Sequence, residues 1–156
     1  VVHLVQFARD LQYPPAEADR TVLFLAIGNI AGRIPFNYLA DRLGRRQVFV
    51  AMGLSYSALD FCMPLLQQSY EGLAAYAVIA GACLGTVNSL TATMPADHVA
   101  PSAMSQATGL SLAALGAGML SGPAIAGAMF DATGSYDDAW LMAALAMLAS
   151  ALLLLT

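Results

Sequence analysis

Residues 107–130 read A-T-G-L-S-L-A-A-L-G-A-G-M-L-S-G-P-A-I-A-G-A-M-F, 24 positions without a charge. A helix rises about 1.5 Å per residue and the hydrocarbon core of a bilayer is about 30 Å thick, so about 20 apolar residues cross it. The stretch therefore reads as a membrane-spanning helix, and four others resemble it. Residues 21–40, 48–66, 73–95 and 139–156 supply apolar runs of 20, 19, 23 and 18 residues, separated by short polar connections. The opening residues, 1 to about 10, read as the end of a further helix. The expected fold class is an all-α integral membrane bundle forming one domain over residues 1–156, its first helix truncated.

Composition excludes the alternatives. Only 10% of the 156 residues are charged and 59% are apolar, against about 25% charged in an ordinary soluble domain. Ten acids and six arginines cannot clothe a soluble bundle of this size. A net charge of −4 argues against a nucleic-acid partner; the partner implied is a lipid bilayer. Cys62 and Cys83 both fall inside apolar runs and read as packing residues rather than a disulfide or metal pair. There is no H-E-x-x-H, no phosphate-cradling glycine loop with a following lysine, and no nucleophile–histidine–acid set. No enzyme activity, cofactor or metal is expected. The chain opens Val-Val-His and stops inside L-L-L-L-T, so it reads as a piece of a longer protein.

The connections carry turn and cap chemistry. Pro14 and Pro15 lie in the first, Gly44 in the second and Pro101 in the fourth; Gly134 precedes a final helix that starts with Asp137 and Asp138, where acids suit the dipole. The densest basic cluster, Arg42, Arg45 and Arg46, assigns residues 41–47 to the cytoplasm. Alternate crossings then put residues 96–105 on the same side, and 10–20, 67–72 and 131–138 outside.

Glycines recur four apart at Gly28/Gly32, Gly81/Gly85 and Gly118/Gly122. Helices in lipid associate by close fit, and small residues let their backbones approach; all three pairs are expected to pack helix on helix. Pro123 removes a backbone hydrogen bond inside the fourth run, a break that membrane helices tolerate at bends.

Two charges stand inside the spans. Arg33 lies just past the middle of the first, where an arginine costs at least about 2.5–3.5 kcal/mol on insertion scales. It stays protonated and must find an anion, a carbonyl or water. Asn29, Arg33 and Asn37 repeat every fourth residue, a polar stripe suited to a cavity or a neighbouring helix. Arg33 is the candidate cation on a path for an anionic solute; snorkelling or an ion pair is the bland alternative. Asp60, in the outer third of the second span, is expected to sit near the interface and hydrate, with a protonatable coupling group as the other option. Asp97 and His98 are expected to be solvated or capping. Asn88 and Thr91, with Ser89 and Thr93, are candidate cavity-lining residues.

Residues 37–46, N-Y-L-A-D-R-L-G-R-R, resemble the loop motif G-x-L-a-D-r-x-G-r-r of the major facilitator superfamily, with Asn37 in place of the leading glycine. Residues 121–136, S-G-P-A-I-A-G-A-M-F-D-A-T-G-S-Y, look like the eleventh helix and following loop of monocarboxylate transporters. The opening F-A-R-D-L and the later G-N-I-A-G-R resemble their seventh and eighth helices. The resemblance covers almost the whole chain and implies the C-terminal half of a transporter, helices seven (partial) to twelve, with an N-terminal six-helix half as its partner.

It also implies a function: secondary active or facilitative transport of a small carboxylate-bearing solute by alternating access. Arg33 falls on the position of an arginine that binds the substrate carboxylate, and Asn29 on that of a proton-exchanging aspartate, so Asn29 would supply only a hydrogen bond. Asp41, Arg42, Arg45 and Arg46 would form a conformational latch, with Asp41 capping the next helix or pairing with the arginines. The family implies the plasma membrane and a single-span ancillary subunit. It also contains carriers of aromatic amino acids, thyroid hormone, creatine and carnitine-like solutes, a branch that Asn29 keeps open. The alternative from another class is a non-transporting polytopic protein: a receptor, a scaffold or a degenerate copy.

Overall fold

In the computed structural model, residues 4–155 are described; the first three residues of the expected opening helix and the last residue of the final run lie outside them. The described part of the opening helix is α1, Leu4–Asp10. The chain then turns through Gln12, whose φ is +64°, and enters α2, Pro15–Leu43. Pro15 stands in the first turn of that helix, where a missing N–H costs nothing. Gly44 alone separates α2 from α3, Arg45–Phe61, and its φ of +105° is one that side-chain-bearing residues rarely adopt.

The expected single run over residues 48–66 breaks at Cys62. Pro64 has no N–H to continue the ladder and its ring crowds the preceding turn, so the chain restarts as the one-turn α4, Met63–Leu66. The break leaves Cys62 exposed, contrary to the packing role expected of it, whereas Cys83 is buried. Helix α5, Tyr70–Thr93, starts on Ser69, whose side chain accepts the Gly72 N–H at 3.1 Å. Two 3₁₀ turns, Met94–Asp97 and Pro101–Ala103, lead into α6, Met104–Thr133. Gly134, at φ +72°, closes α6 by donating to the Phe130 carbonyl at 2.7 Å. Last comes α7, Asp137–Leu153, with both aspartates in its first turn. Helices α2, α5 and α6 are long and apolar enough to cross a membrane; α3 and α7, at 17 residues each, reach about 25 Å by their own rise.

The most extensive helix contact joins α2 to α5. Its cause is the absence of side chains. A methyl group at Gly28 would collide with the Val78 carbonyl, one at Gly81 with the Leu25 carbonyl, and one at Gly85 with the Asn29 carbonyl. At Gly32 it would lie 2.6 Å from the Ala82 Cα. The backbones meet as directly as sterics allow, and Thr86 adds hydrogen bonds to Ala82 (2.8 Å) and across to Gly32 (3.5 Å). Helix α3 packs on α7 through Gly53, against Met147 and Ala151, and through a bond from Ser57 Oγ to the Ala144 carbonyl at 2.8 Å.

Helix α6 differs from all of these. None of its residues is buried, and nothing lies within 4 Å of where a Cβ would stand at Gly109, Gly116, Gly118, Gly122 or Gly127. The expected packing of Gly118 and Gly122 is therefore absent among the described residues. Large apolar side chains such as Ile34 (78% exposed) and Leu120 (82%) point away from the bundle. Water would penalise such surfaces, whereas lipid does not.

Candidate functional site

Arg33 stands on the outer flank of α2, exposed, and among the described residues its guanidinium has neither a carboxylate nor a hydrogen-bond partner. One turn earlier, Asn29 is half-buried on the α5 side, with its Cγ 3.0 Å from the position of a Gly85 Cβ. One turn later, Asn37 Nδ2 donates to the Arg33 carbonyl at 2.7 Å. The four-residue spacing thus makes a stripe whose members have different surroundings: Asn29 lines the seam with α5, Asn37 is tied to its own helix, and Arg33 is free. The other candidates lie on α5. Thr91 is half-buried and its hydroxyl returns to the Val87 carbonyl at 2.8 Å, while Asn88 is half-buried. A cleft of about 520 Å³ between α6 and α7 is lined by Met129, Asp138, Leu141 and their neighbours and includes none of these residues.

At the arginine-rich end the basic loop reaches further than expected. Arg45 meets Asp97 at 2.8 Å, Asp41 at 3.7 Å and the Thr93 carbonyl at 3.2 Å. Asp97, expected to be solvated or capping, is thus the acid that joins the α2–α3 turn to the end of α5. Asp41 makes no cap on α3, whose N-cap is Gly44 without a side-chain bond. Arg46 Nε donates to the Leu154 carbonyl and so ties down the end of α7, where a cation suits the dipole. Arg42 lies over the Tyr38 ring, 4.5 Å from its centroid.

The opposite end is aromatic. Phe7 meets Tyr136 and Trp140 edge-on at 5.8 and 5.4 Å, and Phe130 stacks on Tyr136 at 4.4 Å. Tyr13 donates to the Gln67 carbonyl and Tyr70 to the Glu17 carbonyl. Aromatic side chains with polar tips suit a membrane–water interface.

Asp60 overturns its expected hydration. It is 1% exposed, and its Oδ1 accepts the Tyr76 hydroxyl at 2.8 Å. It lies in the last turn of α3, on the side that meets Tyr76 of α5. Sequence alone carried no sign of Tyr76 as its partner, since the two lie on different helices.

The helices, their uncovered apolar flanks and the polar ends define an integral membrane protein of all-α architecture. Residues 2–156 match the Major Facilitator Superfamily, and the chain belongs to it. Its relatives include Monocarboxylate transporter 12 of Rattus norvegicus, 31% identical over 157 residues. Monocarboxylate transporter 10 of the same organism is 33% identical over 129 residues, and the MFS-type transporter pynF of Aspergillus niger 30% over 119. These matches cover 98%, 80% and 74% of this chain, but 32%, 25% and 26% of the relatives. The chain spans about a third of the length of Monocarboxylate transporter 12.

Proposed function

We propose that the chain is the C-terminal half of a secondary transporter that moves a small carboxylate-bearing solute by alternating access. The observation that carries the reading is Arg33: a permanent cation, without a partner among the described residues, in the middle of a helix long enough to span. A guanidinium presents paired N–H donors that match a carboxylate, and such a cation is rarely kept at membrane depth without a role. The N-terminal half would close the other side of the path. Asn29 would hydrogen-bond the solute from the α5 seam, with Asn88 and Thr91 further along the same wall. The relatives named for monocarboxylates support the solute class. The plasma membrane and a single-span ancillary subunit belong to the same proposal.

The clasp of Asp41, Arg45 and Asp97, with Arg46 on the end of α7, would latch the inward face. Breaking it requires separating α3 from the end of α5, the movement expected when a half-bundle rocks.

The test is uptake of labelled lactate or pyruvate by the full-length parent protein and by its Arg33→Ala and Arg33→Lys forms. Loss of uptake in both, with surface expression retained, is expected, because an ammonium cannot reproduce the paired donors. Unchanged uptake removes Arg33 from the site.

A further inference from the structure

Asp60 is the buried acid for which the reading above has no use. Its carboxyl is 1% exposed; Oδ1 accepts the Tyr76 hydroxyl at 2.8 Å, and Oδ2 is buried with no hydrogen-bond partner. No arginine among the described residues pairs with it, and the chain contains no lysine. Among the described residues, the titratable groups around it are two tyrosines and a cysteine. Tyr56 comes from its own helix, and Tyr76 and Cys83 come from α5. The other elements packed on this core present Leu4, Phe7 and Ala8 from α1, Met63 from α4, and Ala139 from α7. An ionised carboxylate needs several donors or a cation to survive such surroundings; with one hydroxyl and one empty oxygen, the neutral acid is the form that fits. A proton on Oδ2 leaves Oδ1 as a carbonyl oxygen that still accepts from Tyr76.

Position adds a route. Asp60 lies in the last turn of α3, next in sequence to the exposed Phe61 and Cys62, at the end assigned outward by the arginine cluster. Parting α3 from α5 would separate Asp60 from Tyr76.

We propose that Asp60 is a proton-binding site, neutral in the closed bundle and exchanging its proton with the outward solution when the α3–α5 contact opens. Resting on the transport reading above, the inference adds that this proton accompanies the carboxylate held by Arg33. A carboxylate at Arg33 and a proton on Asp60 cross together without moving net charge. The acid that Asn29 does not supply is thereby supplied by a different span.

Two measurements on the full-length parent protein test this. Infrared spectroscopy of the purified protein at neutral pH should show the carbonyl band of a protonated carboxylic acid. Asp60→Asn should abolish it, and Tyr76→Phe should move it to higher frequency by removing the hydrogen bond to Oδ1. The Tyr76→Phe shift decides the matter should Asp60→Asn fail to fold. Absence of the band, its persistence in Asp60→Asn, or an unmoved band in Tyr76→Phe overturns the site. In liposomes with an internal pH dye, an inward lactate gradient should acidify the lumen with wild type. Tyr76→Phe should alter the external-pH profile of that signal. Lactate entry without acidification overturns the coupling and leaves Arg33's role standing. A band at Asp60 in a protein that moves no carboxylate overturns the transport reading and the coupling, and leaves the proton site.

Discussion

Two glycine-rich helix surfaces in this chain look alike on paper and behave in opposite ways. On α2 and α5, Gly28, Gly32, Gly81 and Gly85 interlock so closely that added methyl groups would strike backbone atoms. On α6, five glycines face nothing within 4 Å, and no residue of the helix is buried. Spacing of small residues therefore marks a surface able to receive a neighbour; whether this half of the molecule supplies one is decided by topology. The difference fits the proposed division of labour, in which α2 and α5 form the rigid wall that carries Arg33 and α6 offers its flank to lipid or to the other half.

The comparison breaks most severely at its tight side. Gly28→Ala and Gly81→Ala should each destabilise the bundle by about 1–3 kcal/mol or more, because the obstructing atoms are backbone and cannot turn aside. Cys83, 3% exposed between two of the glycines, is the reporter. In a parent protein stripped of other cysteines, its labelling by a thiol reagent should accelerate sharply in both variants. A labelling rate equal to wild type would mean that the seam is looser than the geometry says.

A smaller effect is expected where one side-chain bond, rather than bare backbone, joins two helices. Ser57→Ala removes the donor to the Ala144 carbonyl and should lower stability by about 1 kcal/mol, read as the melting temperature in detergent. The Arg45–Asp97 pair comes next. Its side chains are 28% and 46% exposed, so a double-mutant cycle should give under about 1 kcal/mol of coupling, weakening with salt. Transport should respond more than stability if the pair latches a conformation. Gly118→Ala stands last: with open space around it, stability should stay the same or rise by up to about 1 kcal/mol from helix propensity. A loss as large as that of Gly28→Ala would show that α6 is gripped as tightly as the α2–α5 seam.

Helix positions were legible because run length and charge exclusion act locally. The 24 uncharged residues from 107 to 130 sit inside the 30 of α6. The break at Cys62 was readable in principle from Pro64, but an apolar run on both sides of it hid the signal. Partners were another matter. The Arg45 cluster announced itself and alternate crossings put residues 96–105 on its side, yet only the fold shows that Asp97 is the acid that meets Arg45. Asp60 looked like an interfacial acid from its distance to the end of its run. Its burial depends on Tyr76 from α5, which no spacing encodes. Arg33 was visible as an anomaly of composition, and the different surroundings of Asn29 and Asn37 were not, because helical spacing ignores which flank a neighbour covers.

The α2–α5 seam also has a consequence for the order in which the protein is made. Chains emerge from the ribosome N-terminus first, and Gly28 meets Val78 only after α3, α4 and the start of α5 have been synthesised. Until then α2, with Asn29, Arg33 and Asn37, has no glycine surface to grip. The most intimate contact in the bundle is thus among the later ones to form. Conditions that slow synthesis between residues 43 and 78 should prolong the interval in which the helix bearing the arginine waits, half-dressed, for its mate.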